Sequence, residues 1–62
     1  MPIINVKMYS GRTVDEKRDL VKRMTEATME AIKCPADAVK IMIEEFEREN
    51  WANAGVLRVD EK

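Results

Sequence analysis

Apolar positions at the start of the chain recur every second residue and then change to a three- and four-residue spacing. In Ile3-Ile4-Asn5-Val6-Lys7-Met8-Tyr9, one face carries Ile4, Val6 and Met8 while the other carries Ile3, Asn5, Lys7 and Tyr9. That alternation predicts a strand with one apolar side. Ser10-Gly11-Arg12 breaks it, and Thr13-Val14-Asp15-Glu16 follows with the threonine and glutamate spaced as a capping box at a helix start. Leu20, Val21, Met24, Ala27, Thr28, Ala31 and Ile32 then recur at helical spacing, with charged residues elsewhere. The helix is expected to stop near Lys33-Cys34, because Pro35 cannot continue it and disfavours helical backbone in its predecessor.

Alternation returns over residues 38–46, where Val39, Ile41 and Ile43 share one face and Lys40, Met42 and Glu44 the other. Strand, long helix and strand imply a right-handed crossover between parallel strands. The tail from Asn50 to Val59 has turn residues before a short apolar run, which predicts a loop or hairpin with no obvious partner inside so small a subunit. The expected fold class is therefore α+β: a short β-α-β subunit with a parallel strand pair, one long helix and a C-terminal hairpin, forming a single domain over residues 1–62.

Size adds a constraint. A chain of 62 residues buries too little surface to be comfortable alone and needs a disulfide, a metal or self-association. One cysteine, Cys34, allows no intrachain disulfide, and the absence of histidine removes the common zinc patterns. A two-stranded sheet covered by one helix also leaves its other face and both edges open. Self-association is what remains, with methionines 8, 24, 29 and 42 read as adaptable core and interface filler.

The net charge of −1, from 11 basic and 12 acidic residues spread along the chain, gives no footprint for nucleic acid or an anionic membrane. No stretch has the length of a transmembrane helix or the build of a signal peptide, so a cytoplasmic location is expected.

Elimination narrows the chemistry. Without histidine there is no Ser-His-Asp or Cys-His arrangement, and Gly11 and Gly55 make no phosphate-binding loop. Cys34 falls at a helix C-terminus, where the dipole disfavours a thiolate. Glu44 and Glu45 read as solvated or salt-bridged groups. Pro2 is the distinctive candidate: a proline behind the initiator methionine either opens an edge strand or, once Met1 is trimmed, becomes a secondary amine. An α-amine titrates near pH ~8, already close to neutrality. Arg12 reads equally as a surface residue before the helix or as a bidentate carboxylate binder.

The order Met-Pro, a strand ending in Gly11-Arg12, a helix reading DEKRDLVKRMTEA, the Pro35 break, a strand reading VKIMIEE and an aromatic at Trp51 resembles the 4-oxalocrotonate tautomerase family across essentially the whole chain. The resemblance implies a subunit that commonly assembles as a homohexamer, a trimer of dimers, with active sites shared between subunits and no cofactor. It implies that Pro2 is the catalytic base and that Arg12 binds a substrate carboxylate from a neighbouring subunit. At the start of the second strand many members carry an arginine where this chain has Lys40, which keeps the charge but lacks the planar fork. Lys40 suits a pocket or a solvated strand face. Trp51 stands where the family has an aromatic, usually phenylalanine, beside the proline.

The function so implied is keto–enol isomerisation of a 2-hydroxydienoate or 2-oxo acid, with a small carboxylate as substrate. Aromatic hydrocarbon catabolism supplies a 2-hydroxymuconate-like diacid; a phenylpyruvate-like monoacid also fits. Relatives that hydrate or dehalogenate unsaturated acids place a carboxylate just beyond the aromatic, whereas this chain reads Trp51-Ala52-Asn53. A non-catalytic scaffold or a binding protein of the same fold are the readings from other classes.

Overall fold

The computed structural model describes residues 1–61. Strand β1 spans Ile3–Tyr9, helix α1 Val14–Ile32 and strand β2 Lys40–Phe46; the short strands β3, Ala52–Asn53, and β4, Val56–Leu57, follow. β1 and β2 pair in parallel with Ile4 opposite Ile41 and Val6 opposite Ile43. Strand side chains alternate between faces, so this register gathers Ile4, Val6, Met8, Ile41 and Ile43 on one half-buried side. Val39 lies half-buried just before β2. The expected second strand loses Ala38 to a single 3-10 turn over Ala36–Ala38, which Pro35 initiates with extended backbone.

Thr13 caps α1 as the sequence predicts: its hydroxyl accepts from the Glu16 N–H at 3.0 Å, and the Glu16 carboxylate accepts from the Thr13 N–H at 3.0 Å. At the other end Lys33 turns left-handed, with φ 57°, and its N–H donates to the Met29 carbonyl at 2.9 Å. The buried stripe differs from the expected one. Leu20, Val21, Met24 and Thr28 are half-buried together with Lys17, Thr25 and Met29, whereas Ala27, Ala31 and Ile32 are exposed. The helix is rotated toward Thr25 and Met29, which carries Ala27 off the contact face. It also outruns the sheet: 19 residues rise about 28 Å as helix, against about 23 Å for seven residues of strand. Ile32 lies in the overhang, 56% exposed. An ion pair of 2.6 Å between Lys17 and Glu45 ties α1 to β2.

β3 and β4 form the expected antiparallel hairpin, Asn53 opposite Val56. Ala54 and Gly55 take φ values of 54° and 82°, the signature of a type I′ turn that matches the twist of its strands. All four residues of its strands are exposed.

Among the described residues none is fully buried. The accessible surface is 5082 Å², whereas a compact monomer of this mass exposes about 4,100 Å². The radius of gyration is 15.0 Å, against roughly 11 Å for a compact domain of this length. Both excesses come from a subunit whose hairpin arm and outer sheet face cover nothing of their own. Ile3 at 65% and Met42 at 51% exposure put apolar surface on that outer face.

Candidate functional site

The four residues singled out from sequence fall at two ends of the sheet. At the strands' N-terminal end, the Lys40 N–H donates to the Pro2 carbonyl at 3.0 Å, extending the ladder by one rung beyond the Ile3–Lys40 pair. Half-buried Pro2 is thereby held at the head of β1, next to the residue that opens β2. The Lys40 ammonium donates to the Asp37 carbonyl at 2.9 Å, so the charge is anchored over the 3-10 turn at this end. Met1, Ile3 and Ile32, all largely exposed, give the same end an apolar character.

Arg12 and Trp51 sit at the other end. The Ser10 N–H donates to the Phe46 carbonyl at 3.0 Å and closes the ladder there. Gly11 then adopts φ +119°, open to glycine at little cost, and turns the chain toward Arg12 and the helix. The Arg12 guanidinium lies 3.6 Å from Glu16 and is 66% exposed, a loose contact that leaves it able to swing. The Glu16 carboxyl is held below its ordinary range, first by the hydrogen bond from the Thr13 backbone, then by the Thr13 hydroxyl and the nearby Arg12 charge. Trp51 packs edge-on against Tyr9 at 5.7 Å and Phe46 at 6.0 Å between ring centroids.

Pro2 and Arg12 bracket the whole of β1, so they stand roughly 25 Å apart along extended chain. An arginine side chain and a six-carbon acid together do not span that gap. Trp51 is likewise remote from Pro2 in its own chain. The pairing of Trp51 and Arg12 with Pro2 that the family resemblance implies therefore takes more than one copy of the subunit.

Two residues at the Arg12 end escaped the sequence reading. Tyr9 alternates onto the same face as the exposed Ile3, Asn5 and Lys7, yet it is half-buried, with Trp51 packed on it and the Arg48 guanidinium 5.6 Å over its ring. Arg48 lies in the charged run Glu47-Arg48-Glu49. Nothing in a charged loop tells which side chain will fold over a tyrosine far away in sequence. Arg58 also stands here, hydrogen-bonded to Glu61 and near Tyr9, and both keep its guanidinium more firmly charged than a free arginine. An open cleft of about 540 Å³ is lined by Met8, Tyr9, Ser10, Gly11, Arg12 and Arg48, and a smaller apolar one of about 280 Å³ by Lys7, Met8, Tyr9 and Trp51.

Comparison with known proteins agrees with this architecture. The family model described as tautomerase enzyme matches residues 2–60. The chain is 40% identical over 55 residues to a 2-hydroxymuconate tautomerase of Bacillus subtilis, covering 89% of each protein. Its fold superposes on the crystal structure of a homologue of 4-oxalocrotonate tautomerase with a TM-score of 0.91 and 36% identity, covering 98% of this chain and 100% of that one. A second solved structure, from the 4-oxalocrotonate tautomerase isozymes of Methylibium petroleiphilum, gives a TM-score of 0.87 and 36% identity over 94% and 91% of the two chains.

Proposed function

The chain belongs to the tautomerase family and is an isomerase, and on that premise we propose that it interconverts the enol and keto forms of a 2-hydroxydienoate or 2-oxo acid, with Pro2 as general base once Met1 is removed. The observation that carries this reading is the rung from the Lys40 N–H to the Pro2 carbonyl. It holds the proline backbone at a half-buried position next to the backbone of Lys40, whose ammonium is hydrogen-bonded to the Asp37 carbonyl at the same end of the sheet.

With Met1 attached, the Pro2 nitrogen is an amide without a basic lone pair. Freed, it is a secondary amine. For that amine to be mostly neutral near pH 7, the site must favour the uncharged form by about 2 kcal/mol. Partial burial and the Lys40 charge both act in that direction, and Arg12 of a neighbouring copy would add to it. The neutral amine takes the proton from the enol oxygen or from an acidic carbon and returns it to another carbon, giving the conjugated ketone. Arg12 and Lys40 would hold the carboxylate and the oxygen on which negative charge develops. Trp51 of a neighbouring copy would keep water from the amine and so favour its uncharged form.

Assembly belongs to the same reading. The surface excess, the unpartnered hairpin arm and the separation of Arg12 from Pro2 support a homo-oligomer, and a hexamer built as three dimers suits them. A diacid such as 2-hydroxymuconate fits the cationic groups better than a monoacid.

The test is intact mass spectrometry followed by 2-hydroxymuconate ketonisation on the same sample. Loss of one methionine with rapid turnover is expected, and Pro2→Ala should lower turnover by about 10²- to 10⁴-fold while the oligomer persists. Wild-type turnover in Pro2→Ala would show that another group is the base.

A further inference from the structure

We propose that Arg48 is a specificity-determining residue, a second guanidinium that works with Arg12 to select dicarboxylates over monocarboxylates; this rests on the tautomerase reading above. Three features of the cleft at the C-terminal end of the strands converge on it.

The first is composition. The cleft of about 540 Å³ is lined by Met8, Tyr9, Ser10, Gly11, Arg12 and Arg48, so it carries two guanidinium groups and no carboxylate. The acids that flank Arg48 in sequence, Glu47 and Glu49, are not among its lining residues; they line an adjoining cleft that shares Ser10 and Arg48 with it. The Ser10 hydroxyl donates to the Glu47 carboxylate at 2.8 Å and so restrains the nearest negative charge.

The second is that Arg48 is uncommitted. Among the described residues it makes no ion pair, although the chain has five others. Arg12 is only loosely held by Glu16, at 3.6 Å. Two cations that share a cleft repel one another, and an anion between them relieves that cost.

The third is preorganisation. Arg48 lies over the Tyr9 ring at 5.6 Å, and Trp51 packs on the same tyrosine with ring centroids 5.7 Å apart. A guanidinium resting on an aromatic face is oriented before ligand arrives, and its planar fork can then meet both carboxylate oxygens. The Pro2 that reacts comes from another copy, so the Arg12–Arg48 end receives the carboxylate farther from the proton transfer. A monoacid has nothing to place there.

The experiment compares the assembled wild-type protein with Arg48→Gln and Arg48→Lys. Trp51 fluorescence reports binding of trans,trans-muconate and of sorbate, unreactive six-carbon dienes of the same geometry in which a carboxylate of one stands where the other has a methyl group. Steady-state ketonisation of 2-hydroxymuconate and of phenylenolpyruvate is measured alongside. Arg48→Gln should weaken muconate about tenfold and raise KM for the diacid by a similar factor, with kcat and both monoacids changed less than about twofold. Arg48→Lys should recover part of the loss, since it keeps charge but not the fork. The proposal is overturned if wild-type protein does not prefer muconate to sorbate, if Arg48→Gln leaves that preference intact, or if it weakens both ligands equally, as a purely structural role through Tyr9 would. An Arg48-dependent muconate preference without turnover of any enol would sink the tautomerase reading and leave the dicarboxylate site standing. Turnover with a preference indifferent to Arg48 would do the reverse.

Discussion

Two crippled variants should rescue one another. Pro2→Ala removes the proposed base and Arg12→Ala the proposed carboxylate ligand, and these positions stand roughly 25 Å apart along β1 in a single chain. If each site draws Pro2 from one copy and Arg12 from another, chains of the two variants unfolded together in equal amounts and refolded will assort at random. A given site then has an even chance of an intact Pro2 and, independently, an even chance of an intact Arg12. Their product predicts about one quarter of wild-type ketonisation, well above the sum of the parents. Native mass spectrometry of the refolded sample establishes that mixed oligomers are present. If they are, and activity stays at the level of the parents, the inference that each site takes Pro2 and Arg12 from different subunits is refuted. Refolding each variant alone sets the baseline.

Three further outcomes concern stability. Glu16 is held below its ordinary range, so its folded form binds protons less readily than its unfolded form; the stability it contributes is present above the unfolded carboxylate value and drains away as pH falls through the lowered one. Denaturant titrations at stepped pH should therefore show acid destabilisation that shrinks in Glu16→Gln, and a slope identical to wild type would remove the capping box as its source. Thr13→Ala should cost about 1 kcal/mol at neutral pH. Ala54 occupies left-handed backbone at φ 54° in the hairpin turn, where asparagine is favoured, so Ala54→Asn should raise stability by about 1 kcal/mol; an unchanged denaturation midpoint would mean that the arm is ordered only by its neighbours.

Local chemistry was legible in the sequence because it depends on residues close together in the chain. Period-two alternation marked β1, Thr13 and Glu16 marked the helix start, Pro35 its end, and the residues before Val56 the hairpin. The parallel pairing of β1 and β2 followed from a long helix between two strands. Pro2 stood out from the residues themselves and Arg12 read equally as a surface residue or a carboxylate binder, whereas Lys40 and Trp51 were marked only by the family resemblance. The family could be recognised from their order, and the comparisons bear that out.

Tertiary structure decided what sits beside what. Periodicity identifies an apolar stripe but not its rotation, so only packing showed that Thr25 and Met29 face the sheet while Ala27 and Ala31 do not. It also showed that α1 outruns its strands and leaves Ile32 uncovered. The separation of Pro2 from Arg12 is a matter of strand direction: a parallel pair puts the starts of both strands at one end and their exits at the other. Arg48 joined Tyr9 and Arg12 for the same reason, because the chain leaves β1 and β2 at that common end. Sequence determines the covalent order and the local backbone preferences; which distant side chains share a cleft depends on the direction and register of strands that meet only after the chain has folded.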